Sequence, residues 1–182
     1  MRAISAFFLL LLFFPSAATA VEPSFPVQQV QDGRVLVSTN LGPLPEKIRK
    51  EIQSGLPKEV EYQIDLMREW DRWMDEYMDG QTVVRTVKYD VLKKEYRMSS
   101  LEGRYLYEKT GADLNEAVRW LTVISDIPVA RVETLLPGPY YVTVTMTFRR
   151  MKMTGPFSVL MFFMSESEYS VAQTGAPFTL PP

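Results

Sequence analysis

Two stretches of strict two-residue alternation constrain this chain more than any other feature. In residues 59–66, Val60, Tyr62, Ile64 and Leu66 alternate with Glu59, Glu61, Gln63 and Asp65. In residues 140–148, Tyr140, Val142, Val144, Met146 and Phe148 alternate with Tyr141, Thr143, Thr145 and Thr147. A β-strand sends successive side chains to opposite faces, so each stretch predicts a strand with one dry face and one wet face. Such half-buried strands belong to antiparallel sheets, because parallel sheets are covered on both faces and read as continuous apolar runs. The fold must therefore supply a cover for one face of a sheet.

The remaining elements follow from local signals. Asp32-Gly33 is a turn that opens a strand over 34–39. Leu44, Ile48 and Ile52 recur every fourth residue and predict a helix over 45–54, with Pro45 in its first turn, Gly55 as its stop and Pro57 preventing continuation. Strands over 82–89 and 94–98 flank a turn at Asp90 and predict a hairpin. The Asp113…Glu116 spacing is that of a capping box, and Leu114, Ala117, Val118, Leu121 and Ile124 form an apolar stripe, so a second helix is expected over 114–124. Another strand is expected near 129–133, separated from the long strand by Pro137-Gly138-Pro139. The expected class is α+β, a mainly antiparallel sheet of about six strands with two helices. Residues 44–57 and 114–128 resemble one another, which suggests a duplicated β-α-β-β unit. The alternative is a β-sandwich with helical insertions.

At the N-terminus, Arg2 precedes an apolar run over 3–14, then Pro15 and the small residues Ser16-Ala17-Ala18-Thr19-Ala20. The run falls short of the roughly 20 residues that a membrane-crossing helix needs. Ala18-Thr19-Ala20 fits signal peptidase, so residues 1–20 are read as a cleaved secretory signal; the rival reading is a retained anchor. The absence of Cys excludes lipoprotein processing. Export to the periplasm or cell envelope is the expected localisation. Residues 21–31, with Pro23 and Pro26, read as an extended lead-in, 32–165 as a single globular domain, and 166–182 as a Pro-containing flexible tail. No later apolar stretch is long enough to span a membrane. Removing Arg2 with the signal leaves 19 Lys and Arg against 22 Asp and Glu, a net charge of about −3. That balance argues against nucleic acid as a partner.

The chain has no Cys and no His. No disulfide can staple the fold, so the packed core must hold it. Ser-His-Asp and Cys-His catalysis, thiol redox chemistry and zinc sites built on His or Cys are excluded. Carboxylate, Lys, Tyr and Ser-Lys chemistry remain open, but no catalytic motif is present. The chain is therefore expected to be non-enzymatic, without cofactor or metal.

The most unusual window is residues 70–80, which holds Trp70, Trp73, Tyr77, Asp71, Asp75, Glu76 and Asp79. Trp faces stack on apolar ring surfaces and carboxylates accept hydroxyl hydrogen bonds, so Trp70, Trp73, Tyr77 and Asp75 are candidates for contact with a ligand or partner. Clustered acids could also attract Ca²⁺, but the EF-hand spacing is missing. The bland alternative is a twisted hairpin whose aromatics cap the core while its charges stay solvated. Asp75 and Asp79 could serve as an acid and base pair for glycoside hydrolysis only if held apart across a cleft. A second candidate surface is the Met- and Phe-rich end, where Phe157, Phe162 and Phe163 lie among Met146, Met151, Met153, Met161 and Met164. Such a surface could dock a partner or rest on a membrane, or it could be core.

Taken together, residues over 30–157 resemble a bacterial family of exported proteins known as domain of unknown function 4390. The likeness lies in Ile52-Gln53-Ser54-Gly55-Leu56-Pro57, Ile64-Asp65-Leu66, Trp70, Trp73, the stretch over 87–96, and Glu116-Ala117 after Asp113. The family has no assigned activity or catalytic residues. The resemblance implies an accessory role outside the cytoplasm, beside a membrane sensor kinase. Export, the absence of a catalytic motif and the aromatic-acidic window beside the Met-rich end add the expectation that the domain binds an envelope protein. A small-ligand or glycan-binding module using Trp70, Trp73 and Tyr77 is the other functional expectation, and a carboxylate hydrolase the third.

Overall fold

The computed structural model describes residues 24–149 and 167–181. The alternating stretches are the two central strands. β3 (Lys58–Arg68) lies between β4 (Glu76–Asp90) and β8 (Gly138–Arg149), all antiparallel. In register, Val60 faces Phe148, Tyr62 faces Met146 and Ile64 faces Val144, so the dry faces coincide. β5 (Glu95–Glu102) and β6 (Tyr105–Gly111) extend the sheet beyond β4 by hairpins. On the opposite side, β9 (Ser167–Thr174) and β10 (Phe178–Leu180) share the outer edge of β8, giving seven strands.

One face of this sheet is covered by α1 (Glu46–Gln53), α2 (Leu114–Thr122) and a three-stranded sheet. The small sheet has the order β1 (Ser24–Gln31), β2 (Arg34–Asn40), β7 (Val123–Arg131). Ile48 and Ile52 of α1, Val118 and Leu121 of α2, and Val35, Val37, Ile124 and Ile127 of the small sheet join the dry face of the large one in a single core. The structure is thus α+β and mainly antiparallel, with ten strands among the described residues where about six were expected. The helices belong to the covering layer and are not insertions into a sandwich.

Several expectations are corrected by the topology. Residues 21–31 were expected as a lead-in, but 24–31 are a strand paired with β2. The stretch 166–182, expected as a flexible tail, carries β9 and β10 and stitches the two sheets together. Gln28 Nε2 donates to Ala176 O at 2.6 Å, Gly175 N donates to Val142 O at 2.8 Å, and Thr39 Oγ1 lies 3.0 Å from Gln173 Oε1. Leu180 is buried. The domain therefore runs past residue 165, because β8 would otherwise leave an apolar strand edge open.

The duplicated unit is matched in element order but not in pairing. β3 and β4 form a hairpin, whereas β7 and β8 lie in different sheets. α1 ends at Gly55, whose φ of +88° favours glycine, while α2 runs directly into β7. The capping box is also incomplete. Asp113 Oδ1 accepts from Asn115 N at 3.0 Å, but Glu116 turns away to pair with Lys109 at 3.0 Å. β7 begins at Val123, earlier than expected, and residues 132–134 form a 3₁₀ turn instead of its end.

Candidate functional site

The window at 70–80 is the tip of the β3–β4 hairpin. Register shifts by one residue between Leu66 and Met67, so Met78 is the extra residue of a bulge on β4 that twists this end of the hairpin. Its base is fixed on β8. Glu69 N donates to Pro139 O at 3.1 Å, and Arg68 Nη2 donates to Pro137 O at 3.1 Å. The Arg68 guanidinium lies over the Trp70 ring at 4.4 Å and over the Tyr140 ring at 6.0 Å, a cation held between two aromatic faces.

Asp75 closes the loop. Its Oδ1 accepts from Trp70 N at 3.2 Å and its Oδ2 accepts from Tyr141 Oη at 2.8 Å. That bond raises the Tyr141 phenol above its ordinary range, because an ionised acceptor favours the protonated donor. Asp75 is therefore committed within the protein and acts as a fastener. Glu76 Oε2 accepts from Trp70 Nε1 at 3.4 Å, and Asp79 Oδ1 accepts from Gly80 N at 2.8 Å. Asp75 and Asp79 thus each accept internal hydrogen bonds. Among the described residues no group of three or more Asp or Glu side chains is placed to hold a metal.

The apex has the opposite character. Trp73 is 80 % exposed and Met74 81 %, Tyr77 is exposed, and Trp70 is 42 % exposed. Trp73 therefore does not cap the core. Trp70, Trp73, Met74, Asp75 and Glu76 border a shallow depression of about 570 Å³. The structure therefore brings together Trp70, Trp73 and Asp75, the two Trp as exposed surface and Asp75 as a tether, while Tyr77 is exposed but turns its hydroxyl toward Gly80. Phe157, Phe162 and Phe163 lie outside the described residues, as do Met151, Met153, Met161 and Met164. Met146 is buried in the core.

Two features escaped sequence reasoning. Arg85, expected on a strand but given no role, is buried beneath the C-terminal end of α2. Its Nη1 donates to Trp120 O at 2.8 Å and to Val123 O, its Nε lies 3.4 Å from Ser100 Oγ, and its guanidinium sits over the Trp120 ring at 4.7 Å. Tyr62 Oη donates to Leu121 O beside it. Burial pushes the Arg85 pKa down and the Tyr62 pKa up, and their mutual attraction opposes both shifts. These two side chains satisfy carbonyls that a helix end leaves without intrahelical partners. The other feature is β6, an edge strand whose apolar run Tyr105-Leu106-Tyr107 is exposed. The signal for it was Gly103, a turn residue just before that run.

Among the described residues no helix is long and apolar enough to cross a membrane. No curated protein and no solved structure matches the chain. A family model described as Domain of unknown function (DUF4390) matches residues 22–175, which takes in β1 and β9, and the protein belongs to that family.

Proposed function

We propose that this protein is an exported, non-enzymatic domain that binds a protein partner in the cell envelope through the tip of the β3–β4 hairpin. The observation that carries this reading is the exposure of Trp73 and Met74 above a base that hydrogen bonds of Arg68, Asp75 and Tyr141 tie together. A large aromatic and an adaptable thioether are the side chains that dominate contact energies in protein interfaces, and a fixed backbone lowers the ordering cost of docking. Export is supported by residues 1–20, and the family resemblance makes a membrane sensor kinase the first partner to examine.

A photo-crosslinking amino acid placed at Trp73 in living cells is expected to capture one envelope protein, and Met74→Asp to weaken that capture about tenfold or more. The same probe at Leu92, on the β4–β5 turn, serves as the control. Equal capture from both positions, or none, sinks the reading. N-terminal sequencing of the protein from an envelope extract is expected to begin at Val21.

The depression beside Trp70 supports a second reading, a small-ligand or glycan site in which the Trp faces stack on sugar rings. Titration of Trp fluorescence with cell-wall fragments separates the two. A saturable change lost in Trp73→Ala favours the ligand, and flat spectra remove it.

A further inference from the structure

β6 ends the seven-stranded sheet, and among the described residues it pairs with β5 alone. Its register with β5, Glu102 opposite Tyr105, closes a two-residue turn at Gly103-Arg104, with Gly103 at φ +61°. The backbone N–H and C=O groups of Tyr105 and Tyr107 therefore face β5, and those of Leu106 and Glu108 face outward. Tyr105 is 71 % and Leu106 61 % exposed. The strand carries no proline and its register with β5 is unbroken, so none of the devices that usually blunt an edge by bending or interrupting it is present.

From this edge we propose that β6 pairs antiparallel with β6 of a second copy of this chain, about a twofold axis at Leu106, joining two seven-stranded sheets. The register is chosen by the side chains. A twofold axis at Leu106 sets Leu106 against Leu106 of the second copy, Tyr105 against Tyr107, and Arg104 against Glu108, each of the last two occurring twice. Arg104 and Glu108 are both exposed, and neither has an ion pair within the described residues. Leu106 is already opposite Leu101, and Leu101 opposite Val84, on the wet face of the sheet. The axis at Leu106 thus makes one continuous apolar row across both copies. The neighbouring registers lose this match: an axis at Glu108 opposes two carboxylates, one at Lys109 opposes two ammonium groups, and one at Tyr107 sets Leu106 against Glu108. Like charges directly opposite destabilise a strand pair, whereas aromatic and opposite-charge pairs stabilise it.

A contact of one strand edge is small beside the roughly 1,200–2,000 Å² of stable interfaces, so the dimer is expected to be concentration-dependent. Because the chain has no Cys, a single introduced thiol reports on one position. The protein is expressed from its full coding sequence and purified. With an added mild thiol oxidant such as diamide, which takes up the two electrons and two protons, Leu106→Cys is expected to form a disulfide-linked dimer, since facing residues at the axis lie about 5.5 Å apart at Cα, within disulfide range. Glu108→Cys is not, because its counterpart lies about 13 Å away at the strand rise of roughly 3.3 Å per residue. In sedimentation experiments the wild type is expected to approach the dimer mass as concentration rises. Glu108→Arg should raise the dissociation constant about tenfold, and adding Arg104→Glu should restore it. These positions are exposed, and circular dichroism checks that each variant is folded. Crosslinking through residue 108 in place of 106, a monomer at every concentration, or a dimer indifferent to the charge swap overturns the proposal.

Discussion

Arg85 is 7 % exposed, yet it carries a guanidinium into the core. Its bonds to the carbonyls of Trp120 and Val123 and its approach to Glu102 at 4.0 Å offset the cost of desolvation. Arg85→Met would leave those carbonyls buried without donors. The expected loss is about 2–4 kcal/mol of stability, read from urea unfolding, and an unchanged midpoint would refute the fastening role. Tyr62 adds a pH dependence. Burial raises its pKa in the fold, so the unfolded phenol ionises first, near its ordinary value of 10.0. The stability it contributes is complete below that pH and is lost as pH rises toward the folded value. Tyr62→Phe should flatten the alkaline decline in unfolding midpoint, and an identical slope in both proteins would contradict this. Their pairing with the end of α2 was not legible in the sequence: alternation puts Tyr62 on the dry face, but Arg85 breaks the pattern of Val83 and Val87 with a charge whose carbonyl partners, Trp120 and Val123, lie more than thirty positions away.

At the scale of elements, the β3–β4 hairpin depends on close approach at Gly80, which lies opposite Asp65. A Cβ there would stand 2.8 Å from Ile64 O and 2.8 Å from Tyr77 Oη, inside contact distance of a backbone atom that cannot swing aside. Gly80→Ala is expected to cost about 1–3 kcal/mol. Gly111→Ala meets mainly the end of the Glu116 side chain, which can move, and should cost less than about 1 kcal/mol. Comparing the two urea midpoints tests the distinction, and equal costs would defeat it. Elements with a strong local period, such as β3, β8, α1 and α2, were legible in the sequence. β1, β6, β9 and β10 were not. In β6 the apolar residues run consecutively because both faces are exposed, and in β10 three residues are too few to show a period.

For the whole molecule, the C-terminal strands are part of the core's closure. Tyr169 lies 6.0 Å from Phe148 and Phe178 6.0 Å from Tyr140, measured between ring centroids. Truncation after Arg149 would remove Tyr169 and Phe178, uncover the rings of Phe148 and Tyr140, and open the edge of β8. The shortened chain is expected to lose its cooperative thermal transition and to aggregate, whereas retention of a sharp transition would show that β9 and β10 are dispensable. The alternation over 59–66 and 140–148 by itself determined that two central strands turn one face inward, because a period of two depends only on local backbone geometry. The sequence also settled which chemistries are impossible, since a chain without Cys or His has none of the atoms they require. The tertiary structure alone decided which strands are neighbours, that Asp75 is a tether while Trp73 is surface, and that β6 pairs only with β5 among the described residues. Those facts depend on contacts between residues far apart in the chain, and no local period records them.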